Sequence, residues 1–113
     1  MQREFSILEE IEMSNTVDVI LEKVRLALRF VDTTLDTEIT DVIAAAKLDL
    51  KRVGVDVPLS DANIDEQMLI AIILYARWHF DFENDGSRYK TMYYDKRADL
   101  ALCEDYTHEE PND

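Results

Sequence analysis

Glycine, proline and cysteine are all scarce in this sequence, and each scarcity excludes a class of structure. The 113 residues include two glycines and two prolines. All-β folds need turn residues roughly every ten positions, so this scarcity predicts few turns and long helices. Cys103 is the single cysteine, which rules out a disulfide framework within the chain and a zinc site built from thiolates.

The sequence also lacks a long apolar run. The longest one, from Met68 to Ala76, has nine residues and is too short to cross a bilayer. The first residues mix acidic and apolar side chains and offer no signal-peptide core. We therefore expect a protein of a reducing, aqueous compartment, with the cytoplasm as the default and no membrane as partner.

Positive charge is also in short supply. Twelve Lys and Arg stand against 25 Asp and Glu, which gives a net charge of −13. Residues 1–13 carry one base and four acids, and residues 104–113 carry five acids and no Lys or Arg. Such a surface repels phosphate, so we expect no sequence-specific binding of nucleic acid.

Helical periodicity is what the sequence has in abundance. Apolar side chains recur at three- and four-residue steps, and this pattern predicts helices at 17–31, 37–53, 64–82 and 88–103, with a short one at 5–13. Asp36 is predicted to cap the second helix, and Gly54 to follow it in a left-handed conformation. The sequence therefore predicts an all-α, single-domain bundle of about four to five helices.

The charge pattern divides the chain into three parts. We expect residues 1–13 to form an acidic arm or short helix, residues 14–104 to form the helical domain, and residues 105–113 to form an acidic, disordered tail.

The third predicted helix is apolar almost all round, with the sequence MLIAIILYARWHF in its middle. A helix without a polar face must be covered on more than one side. It is therefore either the central helix of the domain or a helix covered by a neighbouring subunit. The apolar and aromatic side chains predicted to form a subunit or partner interface are Leu69, Ile72, Ile73, Trp78, Tyr89 and Tyr93.

Residues with catalytic or metal-binding chemistry are few and scattered. His79 lies within the apolar helix and is interpreted as a buried or interfacial histidine, while His108 lies in the acidic tail. Asp61-x-Asn63-x-Asp65 begins like a calcium loop, but the glycine and the closing glutamate that the loop requires are missing, and helix capping explains the same residues. We therefore expect no catalytic residue, no metal and no cofactor.

Two other classes of protein remain open. Glu9 and Glu12 could pair with Asp95 and Asp99 to hold magnesium, as in all-helical nucleotide pyrophosphohydrolases, although no basic residues are arranged to hold phosphates. A small acidic interaction protein, such as a DNA mimic or an inhibitor, is the second alternative. It would present acids at regular spacing, whereas here they concentrate at the termini.

Taken together, four segments resemble the phage head-tail connector (head-completion adaptor) family of tailed siphophages. They are VILEKVRLALRFV from Val19, LDTEITDVIAAAKLDLKRVGV from Leu35, LIAIILYARWHFDFEND from Leu69 and RYKTMYYDKRADLALCEDY from Arg88. In that family the second helix likewise ends in a basic turn and a glycine, and the apolar third helix ends in an aromatic-rich segment. The resemblance covers residues 17–106.

The resemblance implies a structural protein of phages or prophages without enzymatic activity. Members assemble as rings, usually dodecameric, under the portal vertex of the DNA-filled head, where they receive the tail or a stopper protein. The expected partners are therefore other copies of the chain, the portal protein, and a tail or stopper protein. The expected location is the virion, after a stage in the host cytoplasm.

Overall fold

The computed structural model describes residues 19–107, and this part of the chain folds into helices joined by short connections. α1 covers residues 19–27, α2 is Asp36–Arg52, α3 is Glu66–His79 and α4 is Gly86–Leu102. Single 3-10 turns lie at Asp61–Asn63, Phe82–Asn84 and Glu104–Tyr106. Residues 19–107 contain no strand, so the all-α prediction is confirmed. The short helix predicted at 5–13 lies outside the described residues.

α1 ends at residue 27. The periodicity had predicted an end four residues later, at Val31. Arg29 takes a left-handed conformation with φ 64°, which stops the helix. The amides of Arg29 and Phe30 then donate to the carbonyls of Leu26 and Arg25, at 3.0 and 3.1 Å. This is the Schellman arrangement, in which the last helical carbonyls find donors beyond the helix.

The start of α2 also differs from the prediction. Asp36 is the first helical residue, and Leu35 stands at the N-cap position without a side-chain hydrogen bond. The Asp36 carboxylate instead accepts a hydrogen bond from Arg25 of α1 at 3.0 Å. The negative charge therefore lies in the first turn, where the helix dipole favours it, and joins α2 to α1.

The C-terminal end of α2 agrees with the prediction. Gly54 has φ 98°, and the amides of Gly54 and Val55 donate to Lys51 and Leu50 at 3.0 Å each. Val55 and Leu50 are both buried, which adds the hydrophobic contact typical of a Schellman motif.

α3 begins after Asp65, whose carboxylate accepts a hydrogen bond from the Met68 amide at 3.0 Å and so caps the helix. α3 ends at His79, three residues before the predicted Phe82, because Asp81 turns left-handed with φ 50°. The connection to α4 is close-packed. A Cβ at Gly86 would lie 2.9 Å from the Trp78 carbonyl oxygen, so this position requires glycine.

α3 is the central helix of the described domain. Its Ile72 and Ala71 are fully buried, together with Val24 of α1, Ile39 of α2 and Tyr93 of α4. Within residues 19–107, the neighbouring helices therefore cover one part of the apolar surface of α3, while Ile70 remains 42% exposed. Of the two sources of cover that the sequence allowed, helices of the same chain supply the first, and cover of the remaining surface by a neighbouring subunit stays a prediction.

Arg77 is a partly buried charged residue near the end of α3. Its guanidinium donates to the Ala27 carbonyl at the end of α1, at 3.1 and 3.3 Å, and stacks over the Phe82 ring at 4.7 Å. A carbonyl at a helix C-terminus has no partner within its own helix, so Arg77 fastens α1 to the central helix.

The chain turns back on the domain after α4. Cys103, which is partly buried, ends α4, and Thr107 forms an isolated antiparallel bridge with Val55. The Asp56 amide donates to the Tyr106 carbonyl at 2.8 Å. Residues 105–107, which the charge pattern had assigned to the tail, therefore pack on the domain, while residues 108–113 lie outside the described part.

Candidate interaction surface

The carboxylates that looked like half a calcium loop have structural roles. Asp65 caps α3, as described above, and Asp61 pairs with Lys47 of α2. Between residues 19 and 107, no three His, Cys, Asp or Glu side chains come together closely enough to hold a metal ion. Glu9 and Glu12 of the hypothetical magnesium site lie outside the described residues.

The six predicted interface residues divide into two groups. Ile72 and Tyr93 are 0% exposed and Tyr89 is 6% exposed, so all three belong to the core of the single chain. Leu69, Ile73 and Trp78 are partly buried and reach the surface. A role of these residues in contacts with other subunits stays a prediction.

Aromatic rings fill the seam between α3 and α4. Tyr75 packs edge-on against Tyr93, with ring centroids 5.1 Å apart. Trp78 lies 6.1 Å from Tyr93 and 5.7 Å from Tyr94. Edge-to-face and tilted contacts at these separations are favourable, so the seam is a rigid base for the side chains at its outer rim.

A polar network closes the same seam from the α2 side. The Asp49 carboxylate accepts hydrogen bonds from the Tyr93 hydroxyl at 2.6 Å, from Arg97 at 2.9 Å and from Arg52. Burial raises the pKa of Asp49, but these hydrogen bonds outweigh it, so that the pKa lies below its ordinary value. Burial and the bond to Asp49 raise the pKa of Tyr93. The network therefore holds one buried hydroxyl and one ionised carboxylate in fixed positions.

Cations stack on the exposed edge of these rings. The Arg97 guanidinium lies 4.5 Å from the Tyr94 ring centroid, and the Lys90 ammonium lies 5.5 Å from that of Trp78. His79 lies beside Trp78, with centroids 4.2 Å apart. We refer to Trp78, His79, Lys90, Tyr94 and Arg97 as the aromatic–basic surface.

Of the two interpretations of His79, buried or interfacial, the first is wrong because the residue is exposed, and the second stays a prediction. It follows Trp78 at the last position of α3, where the helix turns away from the core. The ring still lies edge-on against Tyr75 at 4.1 Å, and this partial burial lowers the pKa of His79. This shift favours the neutral ring, so His79 contributes mainly an aromatic face to the surface.

A group of acids lies at the far end of α4. Glu104 and Asp105 are exposed in the final 3-10 turn. Asp56 is also exposed, and it lies beside this turn because its amide donates to the Tyr106 carbonyl. We refer to Asp56, Glu104 and Asp105 as the acidic edge. The sequence analysis identified Glu104 and Asp105 as part of an acidic C-terminal segment. It did not identify Asp56, which comes close to them only because the chain folds back after α4.

Several large aliphatic side chains are exposed outside these two surfaces, and the sequence analysis did not identify them. Val31 is 99% exposed, Leu59 is 95% exposed and Leu102 is 86% exposed. Val31 and Leu59 lie in connections between helices. An apolar residue in a polar loop is the signal that could have revealed them, since loops have no core to cover it.

Two clefts flank α1. One has a volume of about 270 Å³ and lies between Val19, Ile20 and Leu69. The other, of about 210 Å³, lies between Ile20 and Ile43. Both reach Asp61, whose carboxylate is already paired with Lys47. The Asp61 carboxylate is therefore not a free ligand group in either cleft.

None of the helices within residues 19–107 is long and apolar enough to cross a membrane. The family model described as phage connector protein matches residues 20–108, which is most of the chain and nearly the whole of the described domain. The chain belongs to this phage connector family. No curated protein and no solved structure matches it significantly.

Family membership confirms the resemblance seen in the sequence. It gives the chain a structural role as a connector in phage particles. The family is structural rather than enzymatic, and its members work in contact with other phage head or tail proteins. The surfaces that make those contacts are therefore the functional sites of this protein.

Proposed function

We propose that this protein is a ring-forming adaptor that joins the DNA-filled head, at its portal vertex, to the tail or to a stopper protein. The observation that carries the proposal is the family match over residues 20–108. The partners are further copies of the chain, the portal protein, and a tail or stopper protein. The site of action is the head-tail interface of the virion, reached from the host cytoplasm.

The exposed surface supports a role in assembly. Val31, Leu59 and Leu102 are all more than four-fifths exposed. Each large aliphatic side chain that leaves water on binding contributes roughly 1.5–3 kcal/mol. A contact that covers these side chains with another copy or a partner protein gains this free energy.

The charge of the chain supports a place beside a DNA channel. With a net charge of −13, the protein repels the phosphates of a passing duplex, so that DNA slides and does not bind. The same argument predicts no gel shift of duplex DNA by micromolar protein at physiological salt, where the screening length is about 8 Å. A shift under these conditions would favour a DNA-binding role over that of a connector.

Deletion of the gene from its phage or prophage tests the proposal. Heads should form and package DNA, tails should assemble separately, and the two should fail to join. Electron micrographs of the lysate should then show free tails beside heads that leak or have lost their DNA. Expression of the intact chain from a plasmid should restore joining, which controls for effects on neighbouring genes. Normal tailed, infectious particles from the deletion contradict the proposal.

A further inference from the structure

The aromatic–basic surface is unusual on this chain. Residues 19–107 contain eleven Lys and Arg against seventeen Asp and Glu, yet this surface places Lys90 and Arg97 among three aromatic rings. Arg97 is paired with Asp49, so Lys90 carries the positive charge that the surface presents. Lys90, Tyr94 and Arg97 follow one another at four- and three-residue steps, so they share one flank of α4. Asp95 and Asp99 are exposed on a different face of the same helix. Within the described residues, no carboxylate lies within 4 Å of the Lys90 ammonium.

This composition is typical of a protein interface. Trp, Tyr and Arg are the residues that most often dominate binding, and a positive surface calls for an anionic partner. Nucleic acid is an unfavourable partner because the chain as a whole carries −13. The chain itself offers a complementary surface, since the acidic edge of Asp56, Glu104 and Asp105 is exposed at the end of α4.

Lys90 cannot reach the acidic edge of its own chain, and Arg97 is already paired with Asp49 at 2.9 Å. Lys90 and Leu102 are twelve residues apart on one continuous helix, which corresponds to about 18 Å along its axis. That distance exceeds the reach of a lysine and a carboxylate side chain together. Lys90, near the start of α4, and the acidic edge at its end therefore remain unpaired with each other in an isolated copy.

A closed ring of identical subunits requires two different, complementary surfaces on every copy. Resting on the proposed ring-forming function, we infer that the aromatic–basic surface of one copy binds the acidic edge of the next copy. The contact is head to tail along α4, with Lys90 and the rings of Trp78 and Tyr94 receiving Glu104 and Asp105 of the neighbour. Because these groups are exposed, the contact weakens as salt concentration rises.

Charge exchange tests this contact in the phage that lacks the gene. The variants Lys90→Glu and Glu104→Lys/Asp105→Lys, supplied separately from a plasmid, should each lower the titre of joined, infectious particles by at least about tenfold, because like charges then face each other. A chain that carries all three substitutions restores opposite charges across the contact. Its titre should return to within about threefold of the unmodified chain, as expected when the coupled pair is restored.

Matched controls separate the contact from general effects of charge. Lys51→Glu changes an exposed lysine on α2, and Asp95→Lys/Asp99→Lys changes two exposed acids on another face of α4, so both should support joining. Every variant should melt at the temperature of the unmodified protein. If Lys90→Glu lowers the melting temperature, Lys90→Gln replaces it, since it removes the charge without reversing it.

The outcomes distinguish this inference from the proposed function. If the deletion prevents joining but both charge-reversed variants restore it fully, the contact is wrong and the connector function stands. If the single variants fail and the combined variant also fails while still folded, the contact is again wrong. Normal joining in the deletion itself overturns the proposed function, and the inferred ring contact with it.

Discussion

The seam between α3 and α4 and the rim where the chain returns to Val55 are held together in different ways. In the seam, Ile72 and Tyr93 are fully buried, and Asp49 collects three hydrogen bonds. At the rim, the partly buried Tyr106 donates to the exposed Asp65 carboxylate, beside the bridge between Val55 and Thr107. Buried contacts are lost only when the whole domain opens, whereas rim contacts compete with water, so the rim should open locally.

The largest effect should come from the apolar part of the seam. Ile72→Ala removes a fully buried side chain and should lower the free energy of unfolding by about 2–5 kcal/mol. Ile70→Ala, on the same helix at a position that is 42% exposed, should cost less than about 1 kcal/mol. Urea denaturation measures both. Equal losses would mean that α3 is not the central helix of the domain.

Gly86 lies at the seam and Gly54 lies at the rim, and alanine should destabilise the two positions for different reasons. At Gly86 a Cβ would lie 2.8 Å from an Asp81 carboxylate oxygen and 2.9 Å from the Trp78 carbonyl oxygen, so Gly86→Ala should cost about 1–3 kcal/mol through overpacking. At Gly54 nothing lies within 4 Å, but φ is 98°, so Gly54→Ala should cost about 1–2 kcal/mol from strain alone.

Asparagine substitutions distinguish backbone strain at Gly54 from steric overlap at Gly86. Asn tolerates a left-handed conformation better than Ala, so Gly54→Asn should recover part of the lost stability. Gly86→Asn should not, because the obstacle there is the space next to α3. Thermal melts of the four variants measure the difference. Recovery at Gly86 would show that its limitation is conformational and not steric.

The hydrogen-bonded Asp49 carboxylate should make the free energy of unfolding depend on pH in the acid range. Burial raises the pKa of Asp49, but the hydrogen bonds from Tyr93, Arg52 and Arg97 outweigh it, so the folded pKa lies below 3.8. A carboxyl with a lowered folded pKa stabilises the fold above its unfolded pKa, and this contribution is lost as the pH falls through the folded value. Asp49→Asn should cost about 1–3 kcal/mol near neutral pH, since Arg97 loses its charged partner.

Stability measured at acid pH tests whether Asp49 is the group responsible. Between the ordinary Asp pKa of 3.8 and lower pH, the unmodified protein should lose stability more steeply than Asp49→Asn. Asp95→Asn, at an exposed carboxyl on α4, is the matched control and should retain the slope. An unchanged slope in Asp49→Asn would place the acid-sensitive group elsewhere.

The smallest effect should come from the rim. The hydrogen bond to Asp65 raises the pKa of Tyr106 to about 12, so the hydroxyl remains a donor over the whole physiological range. Tyr106→Phe should leave the global melting temperature unchanged and loosen the returning segment. Hydrogen exchange of the Asp56 amide, which bonds to the Tyr106 carbonyl at 2.8 Å, should then become faster. Tyr94→Phe should leave this exchange as it is.

The same contrast explains what the sequence could predict. Helix interiors follow from the spacing of apolar residues, and the end of α2 follows from Gly54, because a glycine after a basic turn is a strong local signal. The ends of α1 and α3 were predicted too late. There the left-handed positions are taken by Arg29 and Asp81, which give no such signal, and the apolar residues Val31 and Phe82 continue the periodicity beyond the helix.

The interaction surfaces were less predictable than the helices. Periodicity shows which residues are apolar, but it does not show which of them the chain covers itself. Ile72 and Tyr93 are buried within one copy although the sequence offered them as interface residues. The acidic edge combines Asp56 with residues 48 and 49 positions further along the chain, and only the return after α4 brings them together.

The partly buried Cys103 has a practical consequence for spectroscopy. It ends α4 directly before Glu104 and Asp105, and it is the single thiol in the sequence. A maleimide dye on this sulfur is therefore a single label that requires no engineered cysteine, and it lies beside the inferred contact between copies. The anisotropy of the dye should rise and its accessibility to iodide should fall as copies join. Assembly can therefore be followed in real time without any amino-acid substitution.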